Sequence, residues 1–266
     1  NQTAVNVDQQ WFEHAGKMHF YTLYSAHNHH FVIYGAMFMG QLQAALDMCE
    51  QLEALISPKL VAAMGDWVEA FYPMRQHVLI RFGQWEVIKA QDLPDDQANY
   101  PMTTALIHYA KSVAYSATGE IEAAEASRAD FRVAKENVSE DRFLFNNRCI
   151  DLLAVAEAML EGELEYRRAN YDVAYDHLRH SVELSDTLPY DEPWGWMQPP
   201  RHALGALLME QGHLEAQCIQ GFGFQDPYTS PQRSIRSCCR FLARRFQVLA
   251  PGGRSRSSRL ILLRAV

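Results

Sequence analysis

The sequence predicts an all-α protein built from stacked helical hairpins, and three observations carry that prediction. A helical run ends four times in Gly-x-aromatic/aliphatic: Gly40-Gln41-Leu42, Gly83-Gln84-Trp85, Gly119-Glu120-Ile121 and Gly212-His213-Leu214. A fifth copy reads Ala169-Asn170-Tyr171, and the steps between turns are 43, 36, 50 and 43 residues. Recurrence in this range is the mark of helical repeats, which bury a continuous core only by stacking and which work by binding along a groove. No run alternates as a half-buried strand with turn signals would, so β-structure is not expected.

Each unit then needs a first helix, a tight turn and a second helix packed back upon it. Gly suits the turn because it takes φ > 0 without Cβ strain. Two residues on, Leu42, Trp85, Ile121, Tyr171 and Leu214 are expected to anchor the second helix. Five residues past the turn, Ala45, Ala124 and Ala174 let the helices approach; Ile88 and Gln217 depart from that rule. Seven residues before it, Ser112, Gly162 and Gly205 do the same. Ser57-Pro58 and Leu93-Pro94-Asp95-Asp96 read as stops between repeats, with Asp95 or Asp96 able to cap the helix that follows. The 50-residue step is too long for a regular unit and predicts a longer helix pair around Glu140–Leu160.

This pattern resembles the tetratricopeptide (TPR) repeat over about residues 20–215, as five degenerate units, with Leu204-Gly205, Leu208, Gly212 and Leu214 the fullest match. Tyr190-Asp191-Glu192-Pro193, Trp194, Trp196 and Pro199-Pro200-Arg201 look like the last repeats of a group of bacterial and fungal TPR-containing proteins of undefined activity. His27-Asn28-His29-His30-Phe31 and Ile107-His108-Tyr109-Ala110 look like the same group. The resemblance implies a right-handed superhelix, or α-solenoid, that acts as a non-enzymatic protein- or peptide-binding scaffold. The expected layout is a lead-in helix over 1–20, the repeat domain over 21–215 and an anomalous segment over 216–266.

In the TPR register one face of each first helix lines the concave side. That face carries His27, His30 and Tyr34 in the first unit, His77 and Arg81 in the second, and Tyr109 in the third. The fourth contributes Glu163 and Arg167, and the last contributes His202. His30/Tyr34, His77/Arg81 and Glu163/Arg167 are i,i+4 pairs, so each pair shares a helix face. Asp191, Glu192 and Trp196 of the Pro-rich loop are expected beside the groove. His, Tyr and Arg in one groove suit a ligand with an acidic segment. The competing reading is an enzyme or small-ligand- or metal-binding protein using the same groove, and it requires His27, His30, His77 and His108 to converge.

Other chemistry has little support. The chain holds 11 His but no HExxH, and His27 with His30 makes only two ligands on one face. There is no Gly-x-Ser-x-Gly elbow, no Walker-type loop and no GxGxxG. Glu161, Glu163 and Glu165 are expected to be mostly solvated, Cys149 to be a core thiol, and His29 and His108 to bond within helix contacts. No metal or cofactor is called for. The five Cys (Cys49, Cys149, Cys218, Cys238 and Cys239) lack zinc-type spacing and favour a reducing, cytoplasmic setting. No apolar run reaches the roughly 18 residues of a membrane span. The start at Asn1 reads as that of a fragment or processed product.

Charge divides the chain. Residues 1–215 carry 15 Lys+Arg against 31 Asp+Glu, whereas residues 216–266 carry nine Arg, no Lys and one acid, Asp226. The acidic body disfavours nucleic acid as its partner. The switch in charge, residue usage and repeat pattern inside one repeat leads us to expect out-of-frame translation from about Glu215–Ala216, the alternatives being a genuine unstructured tail or a basic Arg/Ser-rich tail that binds nucleic acid or an anionic membrane. Translating the coding DNA in its other frames tests this: it fails if none resumes an Ala/Glu/Leu-rich helical pattern.

Overall fold

All five turns fall in the left-handed region of backbone space in the computed structural model, which describes residues 1–16 and 20–213. Gly40, Gly83, Gly119 and Gly212 have φ of 71°, 62°, 85° and 84°, and Ala169 has φ of 63°. At each, the N–H after the turn reaches back five positions: Gln41 to Ala36, Gln84 to Leu79, Glu120 to Tyr115, Asn170 to Glu165 and His213 to Leu208, all at 2.9–3.0 Å. This closure satisfies carbonyls that would otherwise be orphaned at a helix end.

The turns join α2 (Tyr21–Phe38) to α3 (Leu42–Leu55) and α5 (Met74–Arg81) to α6 (Trp85–Lys89). They also join α7 (Pro101–Thr118) to α8 (Ile121–Glu136) and α9 (Cys149–Arg167) to α10 (Tyr171–Asp186). A lead-in helix, α1 (Gln2–Ala15), packs on α2. Two compact units are present, Asn1–Gln198 and Pro199–Val266. In the second, α11 (Pro200–Glu210) buries Leu204, Gly205, Leu207 and Leu208. Leu214 and the anomalous 216–266 segment lie outside the described residues.

Within the first unit, α2, α5, α7 and α9 pack in succession, and each also packs on its own hairpin partner. The small residues act where the spacing placed them. Ser112 Oγ donates to the carbonyl of Ala124 at 2.7 Å. A Cβ on Gly162 would stand 2.6 Å from Leu178 Cγ and 3.2 Å from the Ala174 carbonyl. Ala45, Ala124 and Ala174 are fully buried.

Four expectations need correction. Of the described anchors only Trp85 is buried; Tyr171 is 36% exposed, because the backbone closure of the turn already fixes where the second helix begins. The 50-residue step holds no helix pair around Glu140–Leu160. A two-stranded antiparallel ribbon, β1 (Phe143–Leu144) and β2 (Asn147–Arg148), precedes the single long α9. Its turn places Phe145 at φ 49°, and the strands are too short for alternation to register in sequence. Ser57-Pro58 starts a helix as well as ending one: α4 (Pro58–Val68) is capped by Ser57 Oγ, which accepts from Leu60 N–H at 3.3 Å. Asp96 does not cap α7. It folds back on Asn99, accepting from its N–H at 3.2 Å and its Nδ2 at 2.7 Å. The cap is Glu69, from a 3-10 turn (Glu69–Phe71), which accepts from Thr103 N–H at 2.7 Å and Met102 N–H at 3.3 Å.

Candidate functional site

The first-helix faces chosen from the repeat register meet along the row formed by α2, α5, α7 and α9. The i,i+4 spacing puts His30 and Tyr34 on one face of α2 and His77 and Arg81 on one face of α5. His30 and His77 lie at the bottom, 1% and 2% exposed. His30 meets Phe71 edge-on at 5.7 Å, and His77 meets Trp196 edge-on at 4.7 Å. His27, half-buried, stands between Phe31 and Phe145, each at 4.8 Å. Tyr109 of α7 is buried and meets Trp196 edge-on at 5.5 Å.

The hydrogen bonding of this cluster is incomplete. Among the described residues neither ring nitrogen of His30 has a partner, nor does Nδ1 of His27 or of His77. Each unpaired buried polar group costs about 1–3 kcal/mol, so such a cluster is costly unless something fills it. Burial holds the imidazoles neutral. It pushes the His30 pKa down to about 3, with His77 and His27 adding to the effect, and the His77 pKa down to about 4. The His27 pKa is lowered by burial, against the opposing pull of Asp191 and then Glu192.

Toward the ends of α2 and α5 the chemistry becomes cationic. Arg81 is half-buried, with its guanidinium 5.2 Å from the Phe38 ring centre. Burial lowers its pKa, and the only group opposing that shift is Tyr34; no carboxylate among the described residues acts on it. The Tyr34 hydroxyl is in turn raised by burial and lowered by Arg81. Other arginines of the body behave differently: Arg75 clamps Glu53 through two bonds of 2.7 and 2.6 Å.

The fourth-unit residues are already engaged. Arg167 pairs with Glu163 at 2.8 Å. Tyr109 is raised by burial first and by the Glu163 charge second. The neighbouring acids are not mostly solvated, as the sequence led us to expect: Glu161 pairs with Arg128 and Arg132, and Glu165 with Arg168. Each faces a different partner, and they do not converge. His202 stands on α11 in the second unit, described by itself.

The loop that ends the first unit does more than border the groove. Asp191 is a structural acceptor, taking Nδ2–H of Asn147 at 3.2 Å and the N–H of Asn146 at 3.3 Å at the tip of the ribbon. Glu192 accepts from the Tyr190 hydroxyl. Trp196 is buried, its indole N–H directed at Met159 Sδ at 3.0 Å, and so forms a wall of the histidine cluster. Gln198 Nε2 closes the loop onto the His77 carbonyl at 2.6 Å. Sequence reasoning missed Asn146, Asn147 and Phe145; the positive φ at Phe145 has no glycine to signal it.

The four histidines do not all converge. His108 faces Asp130 of α8 at 3.8 Å, in a groove of about 740 Å³ lined by α7, α8 and residues 93–98. His29 Nδ1 bonds the Ser25 carbonyl of its own helix at 2.7 Å. Among the described residues no three His, Cys, Asp or Glu side chains group as metal ligands. Cys149 is a buried core thiol with its pKa raised by burial. No helix among the described residues is long and apolar enough to cross a membrane. The chain matches no family model, no curated protein and no solved structure.

Proposed function

We propose that this chain is a non-enzymatic, TPR-like helical-repeat scaffold whose row of first helices binds a protein or peptide ligand. In this reading the hairpins continue as a right-handed superhelix, and α2, α5, α7 and α9 form its concave layer. One observation carries the proposal: residues picked from the repeat register alone come together in pairs across successive first helices. His77 acts on His30, Arg81 on Tyr34 and Glu163 on Tyr109. The repeated left-handed turn and the helix approaches at Ser112 and Gly162 support the same reading.

Selection of a displayed peptide library on the full chain tests it. Selected peptides should lose at least roughly tenfold in affinity with His27→Ala or Tyr34→Ala, the scale of an interface hot spot. They should be indifferent to Val133→Ala, on the exposed side of α8. Failure to select any binder, or binders that depend on Val133 and not on Tyr34, would sink the proposal. A second reading, a site for a small ligand, is favoured by the burial of His30 and of His77, the latter against Trp196. It expects thermal stabilisation by a small molecule with no peptide affinity.

A further inference from the structure

The most demanding feature of the molecule is a set of four polar side chains on two adjacent helices whose hydrogen-bonding groups are not all satisfied among the described residues. His30 and Tyr34 come from α2, and His77 and Arg81 from α5, each pair one helical turn apart. The two helices pack against one another. His30 is 1% exposed with both ring nitrogens unpaired, and Nδ1 of His77, 2% exposed, is unpaired as well. Tyr34 and Arg81 act on each other electrostatically, and neither is hydrogen-bonded or ion-paired among the described residues.

Donors outnumber acceptors among them. A neutral imidazole carries one N–H and one acceptor nitrogen, a phenol one O–H whose oxygen can also accept, and a guanidinium five donors in a rigid fork with no acceptor. Arg81 supplies the only full charge of the four. Asp191 and Glu192 act on His27, and Asp191 is occupied by Asn146 and Asn147. A half-buried guanidinium without a carboxylate, beside buried imidazoles whose ring nitrogens lack partners, suits a group that is anionic and rich in acceptor oxygens.

We infer that His30, Tyr34, His77 and Arg81 form an oxyanion-binding site that takes a carboxylate or phosphate group, with the guanidinium fork on the anion and the imidazole and phenol donors completing its shell. This deepens the peptide-binding reading and rests on it for the source of the anion, a ligand carboxylate laid along the first helices. A free small oxyanion has the same chemistry, and the test separates the two.

The full chain is labelled at histidine, and the ring Cε1–H resonances are followed by NMR. Sodium phosphate is titrated first. A short acetylated peptide with a free C-terminal carboxylate follows, then the same peptide as its amide, with sodium chloride matching ionic strength throughout. The expected result is saturable movement of the His30 and His77 resonances with phosphate or the free acid, and none with chloride or the amide. Arg81→Met should weaken that binding roughly ten- to hundredfold, as loss of a hydrogen-bonded charge does. Tyr34→Phe, which removes one oxygen and keeps the packing, should weaken it by less and serves if Arg81→Met fails to fold. Binding of phosphate without the peptide upholds the oxyanion site and overturns the peptide source. Equal binding of acid and amide without phosphate upholds a peptide groove and overturns the oxyanion site. No effect of any oxyanion beyond that of chloride also overturns it and leaves water to fill the cluster.

Discussion

At the scale of single residues, the turns were legible in sequence because one backbone requirement recurs. Ala169 occupies the position that Gly holds in the other four turns, at φ 63°. A side chain in that region costs about 1–2 kcal/mol, part of which glycine returns as unfolded-state entropy of about 0.4–1 kcal/mol. Ala169→Gly should therefore stabilise the protein by roughly 0.5–1 kcal/mol, seen as a higher urea midpoint at unchanged slope. An unchanged or lower midpoint would refute the account of that turn. Gly162 fails for a different reason. Its backbone is ordinary, but a Cβ there meets Leu178 Cγ at 2.6 Å, so Gly162→Ala should cost about 1–3 kcal/mol through overpacking. Spacing fixed the faces of His30 and His77 in the same way, because i and i+4 must share a side. That Trp196 would stand against His77 was not legible, since its indole N–H is directed at Met159 and its loop is tied at Asp191 to Asn147, far away in sequence.

At the scale of elements, the hairpins could be read and their interruptions could not. A hairpin is closed by local hydrogen bonds that a Gly announces. The ribbon of β1 and β2 is only two residues per strand, and α4 begins where a stop was expected. The start of α7 shows the limit most clearly. Asp96 is nearer in sequence, yet Glu69 caps the helix from 33–34 residues away and binds Arg142 at 2.8 Å. Its position is fully buried, where burial raises its pKa and Thr103 and Arg142 lower it. Nothing local distinguishes Glu69 from the other acids of the chain, because its role is set by tertiary contact. Glu69→Ala would leave the buried Arg142 with only the half-exposed Asp66, at 3.2 Å, as an acid partner and would strip the first N–H groups of α7 of their acceptor, at a cost of about 3 kcal/mol. Combining it with Arg142→Met should recover part of that loss, because no uncompensated charge then remains. A double-mutant cycle in urea measures this, and strict additivity of the two losses would show that the pair is not coupled.

At the scale of the whole molecule, composition records how many histidines the chain has but not their burial, and burial is what ties stability to pH. His30 and His77 have folded pKa values of about 3 and about 4, below the unfolded value of about 6.5. Above pH 6.5 both states hold neutral imidazole and the pair has no effect. Below it, the unfolded chain takes up protons that the folded chain refuses, so stability falls as pH falls until the folded values are reached. Each histidine contributes about 1.4 kcal/mol per pH unit, so the pair should remove roughly 4 kcal/mol between pH 7 and pH 5. His27 and His108, also lowered by burial, act in the same sense. Glu69 acts in the opposite sense, because a buried carboxyl with a raised pKa takes its proton more readily when folded. The clean measurement is therefore a difference: urea unfolding of the parent and of His30→Phe with His77→Phe at pH 7, 6 and 5. The variant should lose less stability than the parent over that range, by roughly the 4 kcal/mol assigned to the pair. Parallel losses in the two proteins would mean that these imidazoles are not held neutral by the fold, and the unfilled cluster on which the oxyanion site rests would lose its physical basis.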